Sequence, residues 1–242
     1  MVPENFYPLM LQHLADNFFE KATMLGKPRL ERIIEQGIIA GGKYGLETRY
    51  EYTLFIDVAV KLGYGFDTDP QLLWVSELLT TNSNPTEKMD QLFEKTLEYE
   101  SSILEDEQVF PISAYTQLVD SKYDVIEASF TGYSQEEFLL FLNNLWPQKF
   151  LQTPPKAFDR ILDEAKVKAK KHGINSRGGV LYFVMAMFMF GHHFDTDKQY
   201  IWISNMLTDP LYVDEQYKLS SLHFTIQKLL EALLEEPIPD IQ

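Results

Sequence analysis

Two stretches of this chain read almost alike. The first is Phe66-Asp67-Thr68-Asp69-Pro70-Gln71, followed by Trp74, Ser76, Leu79 and Thr80. The second is Phe194-Asp195-Thr196-Asp197-Lys198-Gln199, followed by Trp202, Ser204, Leu207 and Thr208. Each pair stands 128 positions apart, and the register continues upstream, where Gly45, Arg49, Phe55 and Gly63 match Gly173, Arg177, Phe183 and Gly191. A gapless register from Gly45 to Thr80 is an internal duplication, which decides architecture before any local reading.

In both copies an apolar run, Tyr52 to Leu62 and Val180 to Phe190, ends at a glycine. That is where a chain leaves a helix at positive φ. The Phe-Asp-Thr-Asp segment follows, then a second helical pattern carrying the tryptophan. An aspartate just before that pattern can accept from the free N–H groups of the new helix and suits its positive dipole end. Pro70 fits the first helical position, where no N–H is needed. The expectation is a helix–corner–helix capped by Asp69 and Asp197, with Phe66 and Phe194 plugging the corner. Trp74 and Trp202 are expected to be core residues against the apolar helix of their own half. Arg49 and Arg177 begin those helices, where the dipole disfavours a cation. Each is expected to be held by a carboxylate, with an Asp of its own corner as the candidate, in a structural pair.

The corners also raise metal chemistry, because the second reads Gly191-His192-His193-Phe194-Asp195-Thr196-Asp197 and His and Asp are ligands for zinc, iron or manganese. The first copy has Tyr64 and Gly65 in place of the histidines, whereas the aspartates occur in both. That favours capping over ligation, and no metal or cofactor is expected. Phosphate-binding loops, nucleophile elbows and zinc-protease signatures are absent from the sequence. No catalytic residue is assigned, and the chain is not expected to be an enzyme.

The chain of 242 residues is 45% hydrophobic, enough for a sizeable core, and contains no cysteine. It carries 21 basic and 36 acidic side chains, a net charge of −15, which argues against nucleic acid as a partner. The charge is uneven: between Lys95 and Lys122 there is no basic residue, while Glu98, Glu100, Glu105, Asp106, Glu107 and Asp120 fall there. The N-terminus lacks the pattern of a signal peptide and no apolar run reaches a membrane span, so a soluble, cytoplasmic protein is expected, with no membrane partner.

Helical periodicity runs through residues 5–25, from Pro28 to Gly41, over 47–62, over 70–80 and from Pro85 onward with Met89, Leu92, Phe93 and Leu97 inward. Residues 111–130 read as one further helix. Ser134 and Glu137 form a capping box, Pro147 stops the helix they start, and Pro154-Pro155 opens the next. Helices over 176–190, 198–208 and 213–235 complete the chain, the last with Tyr217 among its inward positions. No segment alternates as a strand does. The expected fold is all-α: two homologous repeats of about five helices in a compact pseudo-twofold bundle. The expected divisions are 1–107, a bridging segment 108–133, and 134–242.

The pattern Gly-[Tyr/His]-[Gly/His]-Phe-Asp-Thr-Asp-x-Gln-x-x-Trp, at Gly63–Trp74 and Gly191–Trp202, resembles one in small bacterial helical proteins linked to polymorphic toxins and type VI secretion effectors. Lys198 departs from it where the first copy has Pro70. The resemblance implies an immunity protein that occludes a cognate toxin. The alternatives are a secretion adaptor or chaperone, and a helical enzyme of unfamiliar type. A cytoplasm-acting toxin that grips nucleic acid, such as a nuclease, would be basic. The acidic run Glu98, Glu100, Glu105, Asp106 and Glu107 is then the candidate partner surface.

Overall fold

The computed structural model describes residues 5–104 and 109–235. Among them the regular structure is entirely helical, with fourteen α-helices and three single 3-10 turns. The first six helices are α1 (Phe6–Asn17), α2 (Phe19–Leu25), α3 (Lys27–Gly41), α4 (Arg49–Leu62), α5 (Leu73–Leu79) and α6 (Pro85–Leu104). Next come α7 (Val109–Val119) and α8 (Tyr123–Gly132). The last six are α9 (Gln135–Leu145), α10 (Pro147–Gln152), α11 (Pro155–Lys171), α12 (Arg177–Phe190), α13 (Ile201–Thr208) and α14 (Glu215–Glu235). The last six recur in the order and at the spacing of the first six, and α4 and α12 begin and end in register.

Each half therefore carries six helices where about five were expected. The difference lies at Phe18 and Trp146, which occupy equivalent positions. Both leave helical geometry, at φ −132° and −146°, while their N–H groups still donate to Leu14 and Leu142. The expected helix over 5–25 is thereby two, and a short helix starts at Pro147, whose fixed φ suits that position.

The chain separates into two compact units. One comprises Met1–Tyr99 with Phe190–Ile201; the other comprises Glu100–Met189 with Trp202–Gln242. In the first unit α3 packs on α4 and on α1. Thr48 and Glu51 form a capping box at the start of α4, and Phe55, Ile56 and Val58 in its middle are fully buried. Asn84 caps α6, whose Met89 and Leu92 face inward, but Leu97 lies 44% exposed.

In the second unit α12 is buried on every side through Phe183, Met185, Ala186, Met187 and Phe188. A helix apolar all round belongs at the centre of its layer. Ser134 and Glu137 make the expected capping box, and α14 packs on α7 and α8. Leu222, Ile226 and Leu230 of α14 are buried, whereas Tyr217 is exposed. The single helix expected over 111–130 is broken at Ser121-Lys122 because α14 captures the carbonyls freed there. Gln227 Nε2 donates to Val119 and Ser121 at 2.8 Å each, and His223 Nε2 bonds Ser121 at 3.0 Å. No helix among the described residues is long and apolar enough to cross a membrane.

Candidate functional site

The duplicated corners meet inside the first unit. α4 and α12 are each stopped by a glycine at φ 92°, Gly63 and Gly191. A Cβ on Gly63 would stand 3.1 Å from the Phe190 carbonyl oxygen, and one on Gly191 3.4 Å from that of Leu62. The two exits pass in contact, and only glycine meets both the dihedral and the space.

Past the glycines the corners exchange hydrogen bonds. Asp69 Oδ1 accepts from the Gln71 N–H at 2.8 Å, capping its own turn, while Oδ2 accepts from the His192 N–H at 2.9 Å. Asp197 does the reverse: Oδ1 accepts from the Gln199 N–H at 2.8 Å and Oδ2 from the Tyr64 N–H at 2.7 Å. Gln71 and Gln199 add side-chain bonds to the same carboxylates at 3.3 Å, and Gln199 also donates to the Ala59 carbonyl at 3.1 Å. Each aspartate thus caps one copy and clamps the other. All four corner aspartates are buried; Tyr44 donates to Asp67 at 2.7 Å. Burial and then the Asp67 carboxylate push the Tyr44 phenol up. Burial likewise raises the Asp197 carboxyl, against the lowering pull of the Tyr64 and Gln199 amides and the Lys21 charge. Phe66 and Phe194 plug the corners at 2% and 0% exposure, and Phe66 packs on Phe55.

The histidines of the second corner are absorbed by the same geometry. His192 Nε2 lies 3.0 Å from the Gly65 carbonyl and 3.2 Å from Thr68 Oγ1, so Nε2 carries the proton. His193 occupies space that Gly65 leaves open: a Cβ there would fall 2.3 Å from the His193 ring. The exchange of Tyr-Gly for His-His is thus a steric complement between corners. Among the described residues no three His, Asp or Glu side chains converge as metal ligands do.

Other expected sites fall differently. Arg49 and Arg177 are exposed at the starts of their helices. Neither makes an ion pair among the described residues, and Arg177 Nη2 donates to the Tyr133 carbonyl. Of the corner carboxylates, Asp69 and Asp197 accept backbone amides and Asp67 accepts the Tyr44 hydroxyl. Trp74 and Trp202 are half-buried rather than core residues, and Trp74 packs beside Tyr99. The buried tryptophan is Trp146, whose indole donates to Ile103 at 2.9 Å. Lys149 lies over its ring at 5.0 Å and donates to the Met189 carbonyl at the end of α12. Lys21, in register with Lys149, donates to the Val60 carbonyl at the end of α4. A lysine at each helix end suits the negative dipole.

Sequence reasoning also passed over Asp57, which is buried in the middle of α4, with both carboxylate oxygens 2.9 Å from His13 Nε2. Burial raises its carboxyl and His13 opposes this. A lone Asp within an apolar helix was the available signal. Of the candidate acidic surface, Glu98 is exposed and Glu100 half-buried. Glu105, Asp106 and Glu107 lie outside the described residues. Compared with known family models, curated proteins and solved structures, the chain matches none.

Proposed function

We propose that this chain is an immunity protein that neutralises a basic, cytoplasm-acting bacterial toxin, a nuclease in the simplest case, by covering its active surface. The observation that carries the reading is the solvent face of α6 within the first unit. Glu87, Asp90, Glu94 and Glu98 recur there every three or four residues and so share one side of the helix. Tyr50 of α4, 52% exposed, joins them through a 2.6 Å bond to Asp90, and the exposed Leu97 stands among them. Lys88 adds no surface charge to this face, being buried with Nζ on the Leu79 carbonyl. An exposed aromatic and a leucine beside a row of carboxylates, with Lys95 as the exposed cation on the same helix, combine an anchor with a net acidic field for steering.

The net charge of −15 and the resemblance of the doubled corner to immunity-type proteins support the same reading. The reciprocal bonds of Asp69 and Asp197 support a pair of homologous repeats whose corners are related by a local twofold. The acidic run beginning at Glu98 is proposed to extend the contact.

The test is co-expression with a toxin encoded beside this gene, followed by titration of purified proteins at two salt concentrations. Wild type should protect cells. Glu94→Lys with Glu98→Lys should slow association at least tenfold at low salt, with the gap closing at high salt. Failure to protect sinks the immunity reading, and binding to an effector's transport region instead makes the chain an adaptor. Protection with an unchanged association rate moves the contact away from α6.

A further inference from the structure

Within the second unit, α9, α11 and α12 enclose a cavity of about 420 Å³. Its apolar wall comes from Phe138 and Leu142, Phe158 and Leu162, and Val180 and Val184, a pair from each helix. In the first half the residues in register with these are Met10, Leu14, Leu30, Ile34, Tyr52 and Ile56, and all six are buried. The difference is concentrated at Tyr52. Its ring lies against Phe6 of α1 and beside Gly41 of α3, filling the space between those helices. Val180 stands in its place in the second half, and both Val180 and Leu162 are only half-buried. Close-packed interiors hold few voids larger than a water. An apolar opening of this size between three helices has the volume and lining of a small-ligand site.

The polar groups around it narrow the ligand. Lys166, on an exposed stem, spends one of its three donors on Asp163 at 2.9 Å, Gln135 bonds Asp159 at 3.2 Å and Asn175 the Gly173 carbonyl at 3.2 Å. Arg177 also lines the cavity and spends one N–H on the Tyr133 carbonyl. A guanidinium carries five N–H donors in a fork matched to a carboxylate. We propose that this cavity binds a small monocarboxylate with a medium-length alkyl chain, the chain lying between α9, α11 and α12 and the carboxylate on Arg177. The site is independent of the toxin-binding reading.

Calorimetric titration with decanoate, decanol and decylammonium tests it on the full chain. Decanoate should bind most tightly. Val180→Tyr, which introduces the side chain that fills this space in the first copy, should abolish binding while leaving the melting temperature unchanged or raised. Arg177→Gln, at an exposed position, should weaken decanoate at least tenfold and leave decanol unaltered. No decanoate binding to folded wild type, or binding that survives Val180→Tyr, overturns the cavity assignment. Equal binding of decanol and decanoate with no effect of Arg177→Gln overturns the carboxylate assignment.

Discussion

Asp69 and Asp197 differ from ordinary helix caps because each uses both carboxylate oxygens, one for its own turn and one for the opposite corner. A simple cap lost to alanine costs about 0.5–2 kcal/mol. Here the change leaves two N–H groups, buried or half-buried, without an acceptor, at roughly 1–3 kcal/mol each, so Asp69→Ala or Asp197→Ala should destabilise by about 2–6 kcal/mol. Asparagine supplies one oxygen and sets an NH2 against the second amide. Asp197→Asn should therefore behave almost like alanine in urea denaturation, and a near-wild-type midpoint would show that one acceptor suffices. The tryptophans reverse the order expected from the motif. Trp146, buried with its indole satisfied, should cost about 3–5 kcal/mol on truncation to alanine. The half-buried Trp74 should cost clearly less in the same measurement; equal losses would contradict the burial seen at the two positions.

At the scale of elements, the break between α7 and α8 depends on α14. His223 lies between the Tyr182 hydroxyl at 2.9 Å and the Ser121 carbonyl at 3.0 Å. Its Nε2 donates to the carbonyl, and in the neutral ring that burial favours Nδ1 accepts from the tyrosine hydroxyl. Burial lowers its pKa below the ordinary 6.5, against the raising effect of the Ser121 bond. Between the folded value and 6.5 the unfolded chain binds more protons, so stability rises with pH across that window and is lost on acidification. His223→Gln keeps a donor and an acceptor but cannot titrate. Its melting temperature should fall less than that of wild type between pH 7 and pH 5, and parallel curves would remove His223 as the cause. The corner has its own steric signature. Gly65→Ala should destabilise through both its φ of 79° and the His193 ring, and His193→Ala should recover only the steric part. Full recovery would show that the dihedral carries no cost.

For the whole molecule, the first unit is discontinuous: Phe190–Ile201 completes it from far along the chain. Without that segment the Tyr64 N–H and one oxygen of Asp69 lose their partners. A fragment ending at Tyr99 should show no cooperative thermal transition by circular dichroism, although it contains five complete helices. Adding residues 190–201 in trans should not restore the transition at micromolar concentration, because ordering a free segment costs conformational entropy that the intact chain has already reduced. A cooperative melt of the isolated fragment would refute this dependence. The salt-sensitive binding proposed for α6 belongs to the same scale, since it rests on the summed field of the surface rather than on one carboxylate.

The duplication, the helical class, the glycine exits, the Asp69 and Asp197 caps and the Ser134 capping box were all legible from residues close together in sequence. These features are set by local dihedrals, by 3.6-residue periodicity and by bonds that span two or three positions. The clamp of each aspartate on the opposite copy was not legible, because its partner is a backbone N–H and every residue but proline has one. Nor was the burial of Trp146 over Trp74, or the exposure of Arg49, since similar local patterns bury different side chains once helices pack. The split at Ser121 depends on Gln227 and His223 finding two carbonyls about a hundred positions earlier. Local sequence determined what each segment is. Only the tertiary structure decided which segment satisfies another's buried polar groups, because in a closed interior those groups must be paired and only folding brings the partners within reach.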